Sequence, residues 1–264
     1  WFDYWLKGID NGIMKEPPIY YYVMGASKKD EWRTSDQWPL AKQRLTRFYF
    51  GEGKTGSVAS INDGFLRPEA SSHKDATDAY TVDYSATSGK YSLWYAINWP
   101  RNYPNMRSND EKALTYTTPP LESDMEVTGH PVVHLWFVSD ASDLDFFVYL
   151  EEVEGSQSTY ITQGNLRASH RALSKAPFNN LGLPYHRHYK SDLAPIPAGE
   201  PVELVFDLIP TSHLFRTGNR IRITVTCADV DNFETPVINP APKLKLLRDM
   251  NYLSFIQLPM AQSR

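Results

Sequence analysis

Serine, histidine, aspartate and cysteine are the side chains through which a chain without cofactors does most of its chemistry, and here their spacing is uninformative for catalysis. A nucleophile elbow needs Gly-x-Ser-x-Gly, because small residues must flank a serine on a sharp strand-to-helix turn. Gly56-Ser57 and Gly155-Ser156 each lack the second glycine, and no other serine has that setting. His130 and His134 have the i, i+4 spacing of a zinc helix. They lie in a strand-like run, however, where that spacing separates them by about 13 Å, and no Glu follows His130. They read as a strand-end and a core histidine. His186-Arg187-His188 reads as a solvated loop rather than a metal clasp. Asp143-Leu144-Asp145 and Asp229-Val230-Asp231-Asn232 have an acidic spacing that calcium could use. Neither continues with the glycine and distal glutamate of an EF-hand loop, so turn-forming side-chain hydrogen bonds are the simpler reading. No catalytic, cofactor-binding or metal-binding residue is assigned on this basis.

The elements that must carry these residues are strands. Arg220 to Cys227 alternates without a break, and the pattern places Ile221, Ile223, Val225 and Cys227 inward, with Arg220, Arg222, Thr224 and Thr226 outward. Val202, Leu204, Phe206 and Leu208 share one face of another strand. Phe146–Val153 continues the pattern, and Val132–Val138 is apolar on both faces, as in a central strand. Ile19–Met24 and Leu45–Phe50 are further strands by composition. The polar stretch from Gly53 to Ser92 predicts a surface excursion, with a tight turn at Asn62-Asp63-Gly64 and short strands near Ser57–Ile61 and Ala79–Asp83. With 19 prolines and 14 glycines in 264 residues, many short antiparallel strands joined by turns predict an all-β sandwich or jelly roll.

Trp1–Lys7 departs from this pattern. Its apolar residues fall at helical spacing and Gly8 stands where a C-cap glycine belongs, so it reads as the end of a helix that begins earlier, in a larger polypeptide. Cut there, the helix would expose Trp and Phe unless another surface covers them. A net charge of −4 gives no basic footprint for nucleic acid or an anionic membrane, and no apolar run approaches the ~20 residues of a spanning helix. One cysteine, Cys227, precludes an intramolecular disulfide and leans toward a reducing, cytoplasmic setting, with secretion left open.

A series of short motifs runs in order along most of the chain: Trp1-Phe2-Asp3-Tyr4-Trp5-Leu6-Lys7-Gly8, Tyr22-Val23-Met24-Gly25, Trp38-Pro39-Leu40, Leu114–Leu121, Ser142–Phe146, Gly164-Asn165-Leu166-Arg167, Leu208–Ser212 and Phe215–Arg222. Together they resemble the cocaine-esterase-like (CocE/NonD) and X-Pro dipeptidyl-peptidase serine hydrolases. The resemblance implies a parent enzyme with an α/β-hydrolase domain and a C-terminal jelly roll of galactose-binding-like fold, to which this chain corresponds. It also implies that the Ser-Asp-His triad lies upstream of Trp1, and that the parent acts on a small ester or peptide. Residues 1–17 would then be the end of a helix and a linker from the hydrolase domain, and residues 18–264 the jelly roll with long surface loops. One departure is Ala228–Phe233, where the family often has a Ser-Ser-Asn-Phe-Pro-like loop. Trp1, Phe2 and Trp5, the aromatic segment with Trp94, Trp99 and Tyr103, and the loop residues Asp229, Asp231, Asn232 and Phe233 are the candidate interface or cleft-lining positions. The expected role is non-catalytic: support of the hydrolase domain and part of its cleft wall. Two other readings stay open, a self-standing carbohydrate-binding module with an aromatic platform that includes Trp32, Trp38, Trp94, Tyr95 and Trp99, and a ligand-free domain that assembles a homo-oligomer.

Overall fold

Alternating side chains produce the longest elements. The computed structural model describes residues 1–90 and 103–261. Its strands are β1 (Ile19–Tyr22), β2 (Trp32–Ser35), β3 (Arg44–Gly51), β4 (Asn62–Arg67), β5 (Thr77–Thr81), β6 (Leu114–Thr117), β7 (Met125–Gly129), β8 (Val132–Ser139), β9 (Asp145–Glu154), β10 (Gln157–Arg167), β11 (Val202–Asp207), β12 (Thr211–Phe215), β13 (Arg220–Thr226), β14 (Lys243–Leu247) and β15 (Phe255–Met260). Two short helices, α1 (Phe2–Lys7) and α2 (Arg107–Asp110), accompany them. Gly8 closes α1 in the left-handed conformation at φ 68°, accepting no Cβ penalty, and its N–H returns to the carbonyls of Asp3 and Tyr4.

Strands β1 and β2 form a separate antiparallel ribbon. Among the described residues the other thirteen join one array whose main path runs β10-β9-β13-β6-β4-β3-β15-β8-β14-β5. Strand β11 pairs with β8, and β7 pairs with β12 and β15. Pairing is antiparallel throughout, except that β4 runs parallel to β6. The array folds over on itself. Phe137 on β8 and Phe146 on β9, far apart along that path, meet with ring centroids 4.6 Å apart. One continuous core then spans both layers, from Phe50 and Tyr116 through Leu135, Leu204 and Ile223 to Ile256. This is the all-β, jelly-roll-like sandwich that the alternation predicts.

Strand positions in the second half agree with the sequence, but three readings change. Arg222, Thr224 and Thr226 do not face solvent; they are as buried as Ile221 and Ile223. Alternation finds two faces but not what lies on the second one, and here α2 and the stretch around Ser57 cover it. Asn62-Asp63-Gly64 is not a turn but the start of β4. The Asp63 carboxylate is held by the hydroxyl of Thr55 and the N–H of Gly56. Long-range pairing to β6 therefore overrides a local turn signal. Consequently Ser57–Ile61 is loop, and the following strand is Thr77–Thr81, two residues earlier than expected.

Candidate functional site

The loop after β13 and the chain just before the 91–102 segment are brought together although they lie about 140 residues apart in sequence. Asp229 is fully buried and is their junction. Its carboxylate accepts from the N–H of Ser88 (3.1 Å), the Ser88 hydroxyl (2.6 Å), the Tyr149 phenol (3.0 Å) and the Asn232 amide (2.9 Å). The Thr87 hydroxyl bridges Asp229 (3.2 Å) and the exposed Asp231 (2.8 Å). The Asn232 amide also donates to the carbonyl of Gly89 (3.1 Å). Burial, and then the charge and hydrogen bond of Asp229, hold the Tyr149 phenol well above its ordinary range. Five protein donors fill the lone pairs of Asp229, so it works as a structural clasp and not as a base or cation ligand.

The clasp fixes Thr87, Ser88 and Gly89, just before residues 91–102. At the other end Tyr103 is exposed, and the chain that follows it docks on the outer edge of β10. The N–H of Tyr160 reaches the Pro104 carbonyl (3.1 Å) and the N–H of Met106 reaches Ser158 (2.6 Å). Trp94 and Trp99 lie outside the described residues. Phe233 packs on Phe147 with centroids 5.0 Å apart, and it borders a cavity of about 310 Å³ that His170, His188 and Arg167 also line. Asp145 holds Arg167 by two hydrogen bonds, at 2.7 and 2.9 Å. Burial, followed by the neighbouring His186 and His170, lowers the His188 pKa, which favours the neutral imidazole. The cavity thus offers polar groups and an aromatic wall for binding, and no activated nucleophile.

Trp1, Phe2 and Trp5 belong elsewhere. They project from α1, which buries none of its residues. Trp32 and Trp38 do not share a platform. Trp32 packs edge-on against Tyr22 on the exposed face of the β1–β2 ribbon, whereas Trp38 meets Tyr21 on the other face.

The remaining chemistry-bearing residues have structural partners. His130 and His134 are half-buried and pair with Asp207 (2.9 Å) and Glu203 (3.0 Å). His134 is therefore not a core residue; it lies stacked on Phe255 beside solvent. Asp143 caps the N–H groups of Leu144 and Ser169, which is the turn chemistry its spacing predicts. Burial pushes the Cys227 thiol far up, leaving it inert. Among the described residues, no Ser, Thr or Cys side chain hydrogen-bonds to a histidine ring. No group of three or more His, Cys, Asp or Glu among them is placed to hold a metal ion, and no helix is long and apolar enough to cross a membrane.

Residues 11–249 match the family described as the X-Pro dipeptidyl-peptidase C-terminal non-catalytic domain. A Mycobacterium bovis protein provisionally named a serine esterase is 39% identical over 268 residues, which cover 98% of this chain and 40% of that protein. The cocaine esterase of a Rhodococcus species is 27% identical over 238 residues, covering 88% of this chain and 38% of the esterase. The crystal structure of a CocE/NonD family hydrolase from Staphylococcus aureus superposes with a TM-score of 0.72 at 18% identity, over 99% of this chain and 44% of that one. The chain therefore spans about two fifths of the length of the curated relatives it matches.

Proposed function

This chain belongs to the family of X-Pro dipeptidyl-peptidase C-terminal non-catalytic domains, and from that premise we propose that it is the accessory domain of a serine hydrolase, bracing the catalytic domain and walling part of its substrate cleft. The parent enzyme transfers an acyl group to water through an acyl-serine, on a small ester or an X-Pro peptide. In this reading residues 1–17 are the junction and 18–264 the jelly roll. The loop Asp229–Phe233, with Val230 and Asp231 outermost, and the segment that carries Trp94, Trp99 and Tyr103 form the cleft side.

One observation carries the proposal. Helix α1 leaves Trp1, Phe2 and Trp5 exposed at 63%, 72% and 55%, so a two-turn helix presents its apolar side chains to water with nothing among the described residues to cover them. A hydrolase domain of the same polypeptide supplies that cover. Full burial of a Phe side chain contributes about 1.5–3 kcal/mol.

The test places Phe2→Ser and Trp5→Ser together in two contexts. In the polypeptide encoded by the full gene the pair is expected to lower the melting temperature and loosen the domain association. In the isolated chain it is expected to leave melting unchanged. Equal effects in both contexts would refute the docking role of α1.

A further inference from the structure

Beneath α2 lies a buried acid pair that no part of the proposed function uses. Asp110 on α2 and Glu151 on β9 are both fully buried. Arg222 on β13 stands directly opposite Glu151 in the strand register and is the cation bound to Asp110. It donates to Asp110 Oδ2 (2.6 Å), to the Thr117 hydroxyl of β6 (3.0 Å) and to the Ser57 hydroxyl (2.9 Å). The other Asp110 oxygen accepts from the Thr224 hydroxyl of β13 (3.1 Å). Glu151 Oε2 accepts from the Ser158 hydroxyl of β10, but Oε1 is buried with no donor directed at it. Glu151 stands across the ladder from the Arg222–Thr224 stretch that holds Asp110. Glu152, the next residue of β9, turns to the opposite side and pairs with His213.

Two carboxylates buried in one cluster, with one guanidinium bound to Asp110, cannot both be ionised without leaving a net buried negative charge. A proton between them removes that charge and supplies the missing donor at Oε1. Because Asp110 contacts Arg222 directly, Asp110 is the anion and Glu151 the neutral acid. We propose that Glu151 keeps a proton in the folded protein, shares it with Asp110, and thereby acts as a proton-dependent latch that seats α2 on the sheet. Burial first, and then the adjacent Asp110, push the Glu151 carboxyl well above its usual value, in keeping with this assignment. The inference rests on the buried cluster alone and not on the identity of the catalytic partner. Release of the proton sets two anions against each other, loosening Asp110 and, through α2, the Tyr103–Met106 stretch that docks on β10.

The sign of the pH effect follows. In the unfolded chain Glu151 ionises near its ordinary value of 4.5, while in the fold it stays protonated. The unfolded state then binds one proton fewer, so stability falls as pH rises from about 4.5 toward the folded-state pKa. Glu151→Gln retains an N–H donor toward Asp110 and cannot ionise. Urea unfolding of both proteins between about pH 5.5 and 8.5 is expected to show the wild-type unfolding constant rising relative to that of E151Q, by at most about tenfold per pH unit while the fold holds the proton, and levelling off once it is released. Near the upper limit, a protease should cut residues 103–112 faster in the wild type than in E151Q. Parallel stability curves, or equal cutting, would overturn the proposal. The infrared spectrum of the wild type provides a check that does not depend on the variant folding. A band from a protonated carboxylic acid at neutral pH is expected, and its absence would overturn the proposal equally.

Discussion

Arg222→Met is expected to destabilise the domain by about 3–5 kcal/mol, the range for removing one partner of a buried ion pair. The Arg222 side chain is 2% exposed and that of Asp110 0%. Methionine fills much of the arginine volume, so the loss is electrostatic and not a cavity. Asp110 would be left as an uncompensated buried anion, and the Thr117 and Ser57 hydroxyls would lose the guanidinium that donates to them. Adding Asp110→Asn to Arg222→Met removes the orphaned charge, so the double variant is expected to recover part of the loss. Urea unfolding of the two single variants and the double variant measures this as a coupling energy. Strict additivity of the single effects would show that the pair does not act as a unit.

Gly64→Ala carries the second large effect, about 1–3 kcal/mol from forced overpacking. A Cβ at Gly64 would lie 2.7 Å from the Gly51 carbonyl oxygen and 2.7 Å from Tyr116 Cδ1. One obstacle is backbone of β3; the other is a fully buried ring stacked on Phe50 at 4.2 Å. Neither can move without parting β3, β4 and β6. Gly51→Ala is the control, because its nearest contact, the Phe65 carbonyl at 3.4 Å, is ordinary. Thermal unfolding of the two variants should separate them clearly. Equal melting temperatures would mean that the close approach at Gly64 is not a constraint.

These two positions also show where a sequence is readable and where it is not. In β11 one buried face produces strict alternation, and the apolar or alternating runs of β8, β9 and β13 mark strands, so these elements can be read directly, as can the end of α1 from Gly8. Arg222 defeats the same reasoning. Its cover comes from Asp110, 112 residues away, and a polar side chain facing protein looks in sequence like one facing water. Gly64 is hidden for the opposite reason. Asn-Asp-Gly carries a strong local turn preference, and only its non-local pairing with β6 makes it a strand. The loop Asp229–Phe233 is a candidate for the cleft by its position in the motif series alone. Its partners Thr87, Ser88 and Tyr149 share no spacing with it and emerge only from the fold. The motif series did locate the chain within its family, because motif order survives where pairwise contacts leave no local trace.

The most direct test of the accessory-domain account is hydrolysis of p-nitrophenyl acetate and Gly-Pro-p-nitroanilide by this purified chain, beside the polypeptide that its gene encodes. The account predicts turnover by the longer protein and none above the buffer rate by the chain alone. Hydrolysis by the isolated chain, abolished by a serine-directed phosphonate, would contradict it.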